Sequence, residues 1–140
     1  MTLDLSSLRL AVDAFERSLK VSEDKDFMSR LDEDQKDTIR AGVIKNFEVA
    51  YETCWKFMQR WLKENASAEE SEFPRTRKEL FRLAARNGLI KDPTVWFDYG
   101  DARNLTSHTY NEEKAEAVYE SAKGFIVDAR YLLERLEKAK

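Results

Sequence analysis

The chain has 140 residues, a single histidine, a single cysteine and a formal net charge of -3 with 36% of its residues charged. A balance so close to neutral gives no global field to recruit nucleic acid or an anionic membrane, so a local patch has to meet any such partner. One cysteine excludes an intrachain disulfide framework and, with one histidine, a zinc set, and the length suits one domain over residues 1–140 that buries about two-thirds of its unfolded surface around one core.

The N-terminal run MTLDLSSLRLAVDAFERSLK is broken by acids and bases every few residues, so it holds no apolar signal region, and no later stretch approaches the roughly 18 apolar residues of a membrane span. A soluble, cytoplasmic protein with no membrane partner is expected. Within that first run Leu5, Leu8, Val12, Phe15 and Leu19 recur at spacings of three and four, predicting a helix from about residue 5 to 21.

After an acidic connection, residues 33 to 64 form the longest periodic segment, with Ile39, Val43, Phe47, Ala50, Cys54, Phe57 and Trp61 on one face. At 1.5 Å per residue such a helix spans roughly 48 Å, against about 37 Å for a compact domain whose radius of gyration is near 14 Å. Either the helix breaks near Gly42 or one end projects, and the preferred expectation is a long helix at a homodimer interface. Tyr51, Trp55 and Met58 on its flank suggest a second buried face. Cys54 reads as a small buried hydrophobe, and Trp55, Trp61 and Trp96 as core aromatics in preference to base-stacking platforms.

Residues 65 to 72, NASAEESE, read as a polar, acidic loop. The segment FPRTRKELFRLAARNG follows as a third helix, with Pro74 in its first turn and Gly88 at its left-handed end. Arg75, Lys78, Arg82 and Arg86 form a basic stripe along it, read as a solvated face ahead of a track for RNA phosphates or an acidic partner. Asp92 and Pro93 open a fourth helix with Val95, Trp96, Tyr99, Ala102 and Leu105 as its apolar set. Asn111 opens a fifth, in which Ala115, Val118, Ala122, Phe125, Ala129, Leu132 and Leu136 repeat without interruption. Four glycines, two prolines and no alternating β-branched run complete the case for an all-α fold, an up-and-down bundle of about five helices framed by the first, second and fifth.

The single histidine lies in RNLTSHTYN, residues 103 to 111, where the fourth helix ends. Arg103 and His108 are five residues apart, a 140° offset on an ideal helix at roughly 100° per residue, so a straight helix does not aim both at one point. They converge if the helix ends near Ser107 and the chain turns back, or if two copies meet across a two-fold axis. An imidazole can take a 2′-hydroxyl proton or protonate a leaving 5′-oxygen, and a guanidinium offers a forked donor to a phosphorane, so the pair suits metal-independent cleavage of RNA to a 2′,3′-cyclic phosphate. No cofactor is implied: the acids show no metal-ligand spacing, and no Gly-rich phosphate loop or dinucleotide fingerprint exists. The plain alternative is that His108 caps a helix, Arg103 pairs with Asp101 or another acid, and Tyr110 packs at a corner. Spacing alone favours this alternative.

IKNFEVAYETCWKFMQRWL at 44 to 62 together with VWFDYGDARNLTSHTYNEEKA at 95 to 115 resembles the nucleotidyltransferase substrate-binding proteins, a branch of the HEPN helical domains related to HepT toxins. The resemblance covers most of the chain. It implies a dimeric helical bundle paired with a small cognate nucleotidyltransferase. The family motif of an arginine, a histidine and a tyrosine falls on Arg103, His108 and Tyr110, with Asn104 as the polar residue after the arginine. By resemblance Arg103 and His108 are the catalytic pair of a ribonuclease, and Arg103, Asn104, His108 and Tyr110 contact substrate RNA or nucleotide. Tyr110 is the implied acceptor of AMP from the partner transferase. The resemblance equally admits a non-catalytic subunit that presents a nucleotide to the transferase, and a scaffold for its partner is a third reading.

Overall fold

The computed structural model describes residues 3–66 and 76–139. The acidic loop beyond Ala66, Pro74 and Arg75 lie outside the described residues.

Among these residues the chain is all helix and turn, in the order α1 (Ser6–Glu23), α2 (Lys25–Met28), α3 (Glu33–Asn65), α4 (Arg77–Arg86), α5 (Pro93–Asn104), a 3-10 turn (Leu105–His108) and α6 (Glu112–Ala139). The starts are written in short polar side chains that take up N–H groups a helix cannot satisfy itself. Asp32 accepts from the Gln35 N–H while the Gln35 side chain accepts from the Asp32 N–H, a reciprocal box at the head of α3. Thr76 accepts from Glu79 N at 3.1 Å, Asp92 from Thr94 N at 2.9 Å, and Asn111 from Lys114 N at 3.1 Å. The one-turn helix α2 has no periodicity to announce it and was not expected; Asp24 caps it through Phe27 N at 3.0 Å.

The frame is α1, α3 and α6, as the periodicities require, with α4 and α5 closing one side. Leu5, Leu8, Val12, Phe15 and Leu19 are all buried, as are all seven predicted core positions of α6. Phe125 of α6 is the hub: its ring lies 5.8 Å from Phe15, 5.3 Å from Phe47, 5.3 Å from Trp96 and 4.9 Å from Tyr99 between centroids. Trp96 is buried, and Trp55 and Trp61 pack against the core half-buried, in keeping with the core reading.

α3 runs unbroken through Gly42, where an added Cβ would meet nothing within 4 Å. No residue of α3 before Val43 is buried, and Arg40 ties this end to the head of α6 through two bonds to Glu112, at 2.7 and 2.9 Å. The flank of α3 needs a different account from the one expected: Tyr51 and Met58 are fully buried within the chain itself, Tyr51 against Phe81 of α4 and Trp96 of α5, so they need no second copy to cover them. Gly88 takes φ +78° beyond the end of α4, and its carbonyl accepts from Arg135 Nε at 2.9 Å.

No helix among the described residues is long and apolar enough to cross a membrane.

Candidate functional site

RNLTSHTYN sits where α5 runs out. The α-helix ends at Asn104, the next four residues tighten into the 3-10 turn, and Asn111 N donates to the His108 carbonyl at 3.1 Å before α6 begins. The chain thus turns back after His108, although this turn makes no contact between His108 and Arg103.

Arg103 is the fixed point. It is half-buried and reaches across to α3, where its Nε donates to Glu52 Oε1 at 2.9 Å. Its Nη1 donates to the Thr106 hydroxyl at 3.2 Å, and that hydroxyl lies 2.9 Å from Glu48 Oε1, to which it can donate. Glu52 is shared: Trp55 Nε1 donates to its other oxygen at 2.7 Å, and an Arg77 guanidinium nitrogen lies 3.4 Å from Oε1. Lys45 reaches Glu48 at 2.9 Å. Arg103 therefore pairs with two acids one turn apart on α3 and makes no ion pair with Asp101. Glu48 is held below the usual carboxylate range by the Lys45 hydrogen bond, then by Thr106 and the Arg103 charge, against the opposing effect of burial. Arg103 Nη2 makes no hydrogen bond among the described residues.

His108 and Tyr110 are different in kind. Both are exposed, Tyr110 at 87%, and their rings stand edge to face 6.3 Å apart. No hydrogen bond or ring contact joins His108 to Arg103, so within one chain the turn brings His108 and Tyr110 together and leaves Arg103 anchored on α3. Asn104 is exposed and faces a pocket on the α4 side. Cys54 is fully buried, and burial pushes its thiol far up, as befits an inert packing residue.

Glu48, Glu52 and Thr106, which position Arg103, were not anticipated. The signal was present in EVAYE, where two acids at i and i+4 share one helical face, but only the packing of α5 on α3 says which cation they receive.

The sequence matches the family model described as nucleotidyltransferase substrate binding protein like over residues 3–138. It is 36% identical over 136 residues to "Probable ribonuclease HepT" of Haemophilus influenzae, covering 97% of this chain and 93% of that protein. Among solved structures it resembles a Haemophilus influenzae protein described as having the fold of a substrate binding domain of a nucleotidyltransferase, at 35% identity and a TM-score of 0.88, covering 96% of this chain and 99% of that one. A Thermus thermophilus protein superposes at 28% identity and a TM-score of 0.69, over 90% of this chain and 98% of that one. These matches bear out the resemblance carried by the α3 and α5 segments, and the chain belongs to the nucleotidyltransferase substrate-binding protein family.

Proposed function

We propose that the protein is the helical companion of a small nucleotidyltransferase in a toxin-antitoxin-like pair, and that as a homodimer it cleaves RNA without a metal through Arg103 and His108. The observation that carries this reading is the division of labour at the motif. One cation is locked in place with a donor to spare, and the chain's single imidazole stands in solvent on the adjoining turn. His108 would remove the 2′-hydroxyl proton; the 2′-oxygen attacks phosphorus, the bond to the 5′-oxygen breaks, and that oxygen takes a proton from water as it leaves. Arg103 would hold the phosphoryl oxygens. Because the two residues do not touch within one chain, the proposal places the groove between protomers, where Arg103 and His108 of two copies meet.

Exposure of Tyr110 suits it as acceptor of AMP from the partner transferase: its oxygen would attack the α-phosphorus of ATP, with pyrophosphate leaving. The adenylate would put a negative charge and a base beside His108 and repel substrate phosphate. A second reading, favoured by the pairing of Arg103 with two carboxylates, is a non-catalytic subunit that presents a nucleotide to the transferase through Arg103, Asn104, His108 and Tyr110.

Cleavage of labelled RNA in EDTA, run beside an identically purified His108→Ala variant, tests the first reading. The expected result is cleavage by the parent and a loss of roughly 10²- to 10⁴-fold in the variant. Equal cleavage by both would remove His108 from the chemistry, and silence from an unmodified parent would favour the second reading.

A further inference from the structure

The elbow between α2 and the head of α3 holds an open hollow of about 360 Å³ that the RNA-cleaving reading does not use. Phe27, Leu31 and Ile39 supply its apolar lining, and the exposed Asp32, Asp34 and Gln35 its polar rim. None of the three apolar side chains is buried or packed against the core. The elbow is nonetheless held in shape by local devices: Asp24 caps α2, Arg30 bonds Asp26, and the reciprocal box of Asp32 and Gln35 fixes the start of α3. A preformed apolar hollow of this kind favours a ligand that covers it.

The charge around the hollow is one-sided. Residues 23–37 hold seven acids and three bases, a balance of -4 in a chain whose whole net charge is -3. Two of those bases are already engaged, Arg30 with Asp26 and Lys36 with Glu33 at 3.7 Å. On the rim, Asp32 and Asp34 have no cation within ion-pair distance among the described residues. The acids spread over α2, the turn after it and the first turn of α3, a footprint wider than a small molecule covers.

The chain itself narrows the occupant. From Ile39 to Asn65 α3 runs roughly 40 Å, so residues 67–75, at no more than about 3.6 Å each, cannot reach the hollow and return to Thr76. A second copy seated elbow on elbow across a two-fold axis sets -4 against -4 and is repelled. The basic face of α4 on a second copy brings cations but nothing to fill the hollow, since Leu80, Phe81 and Leu83 are buried in their own chain. What the charge admits is a different protein that places lysine or arginine around a large apolar side chain. The volume, at the low end of the roughly 300–1,000 Å³ of ligand pockets, takes one or two such side chains.

The position of the elbow selects among such proteins. Arg40, next to Ile39, bonds Glu112 at 2.7 and 2.9 Å, and Glu112 is the second residue after the exposed Tyr110. A protein seated in the elbow is therefore brought to the end of the bundle that carries the proposed acceptor of AMP. We infer that the elbow is the face on which the partner nucleotidyltransferase docks, through a segment that sets one or two large apolar side chains among lysines or arginines. The inference rests on the reading of the chain as a transferase's companion, to which it gives a surface, and is independent of RNA cleavage.

Calorimetric titration of the purified protein with its purified partner transferase, at low and at physiological salt, tests it on the parent and on Phe27→Ala, Asp34→Lys and Glu134→Lys. Saturable binding that weakens with salt is expected for the parent. Phe27→Ala should weaken it about 10-fold or more, the loss of one central apolar contact. Asp34→Lys should weaken it by a similar factor and flatten its salt dependence, while Glu134→Lys, an exposed reversal on the last turns of α6, should leave it unchanged. Phe27 and Asp34 both lie outside the core, so the melting temperatures of these variants should stay close to the parent's and separate lost docking from lost folding. Parent-like binding by Phe27→Ala and Asp34→Lys would overturn the elbow and leave the companion reading standing. Binding weakened by Phe27→Ala but indifferent to salt and to Asp34→Lys would overturn the basic segment. Absence of binding between the transferase and the parent would overturn the companion reading and the elbow with it.

Discussion

At the scale of single residues, the candidate site is a problem in holding one guanidinium still. Arg103 spans from the last turn of α5 to Glu52, and Thr106 relays it to Glu48. A planar fork suits this double engagement, where lysine would offer a point charge. Glu48 carries a pH signature. Its carboxyl is depressed in the fold, first by Lys45 and then by Thr106 and Arg103, so the folded protein binds fewer protons there than the unfolded chain. Its stabilising contribution is present above the ordinary glutamate value, about 4.3, and is lost as pH falls through the lower folded value. Melting curves from pH 7 downward should therefore show a shallower acid decline for Glu48→Gln than for the parent. Superimposable declines would mean that the network around Arg103 does not titrate with Glu48.

At the scale of elements, two glycines on helices have opposite roles. Gly42 of α3 faces open space and Gly100 of α5 faces the Tyr51 hydroxyl. Replacing a helical glycine with alanine stabilises by about 0.4–1 kcal/mol where nothing obstructs the methyl, whereas overpacking a rigid neighbour costs about 1–3 kcal/mol. Urea denaturation is expected to show Gly42→Ala more stable than the parent and Gly100→Ala less stable. Adding Tyr51→Phe to Gly100→Ala removes the nearest atom and should restore part of the loss. Additive effects in the double variant would show that the hydroxyl is not what the methyl meets. The aromatic packing explains why Tyr51 cannot step aside: its ring is wedged among Phe47, Phe81, Trp96 and Phe125.

At the scale of the whole molecule, the covered flank of α3 and the lack of a direct contact between Arg103 and His108 both bear on assembly. The buried Tyr51 and Met58 withdraw one argument for a dimer, since the chain covers them itself. The dimer belongs to the proposed RNA-cleaving reading, in which Arg103 and His108 of two copies share one groove. Light scattering is expected to give twice the mass of one chain, and a mixed species of intermediate mass when parent and a tagged parent are mixed, unfolded and refolded together. A protein of single-chain mass that nonetheless cleaves RNA would remove the shared groove and leave Arg103 and His108 of one chain to serve the same substrate.

The sequence by itself determined the five long helices and nearly all of the core, because apolar spacing and short polar capping residues are local signals that α-helical geometry reads directly: Asp92, Asn111 and Gly88 each mark a boundary. It missed α2, which is too short to show a period, and the start of α4 at Thr76 carries a cap where an earlier start was expected. The motif residues were legible as residue types and as a family resemblance. Which acids hold Arg103, that the flank of α3 is covered from within, and that the Tyr51 hydroxyl packs against Gly100 were decided only by the tertiary structure. These are contacts between residues about 50 positions apart, and helical periodicity specifies a face without naming the helix that will lie on it.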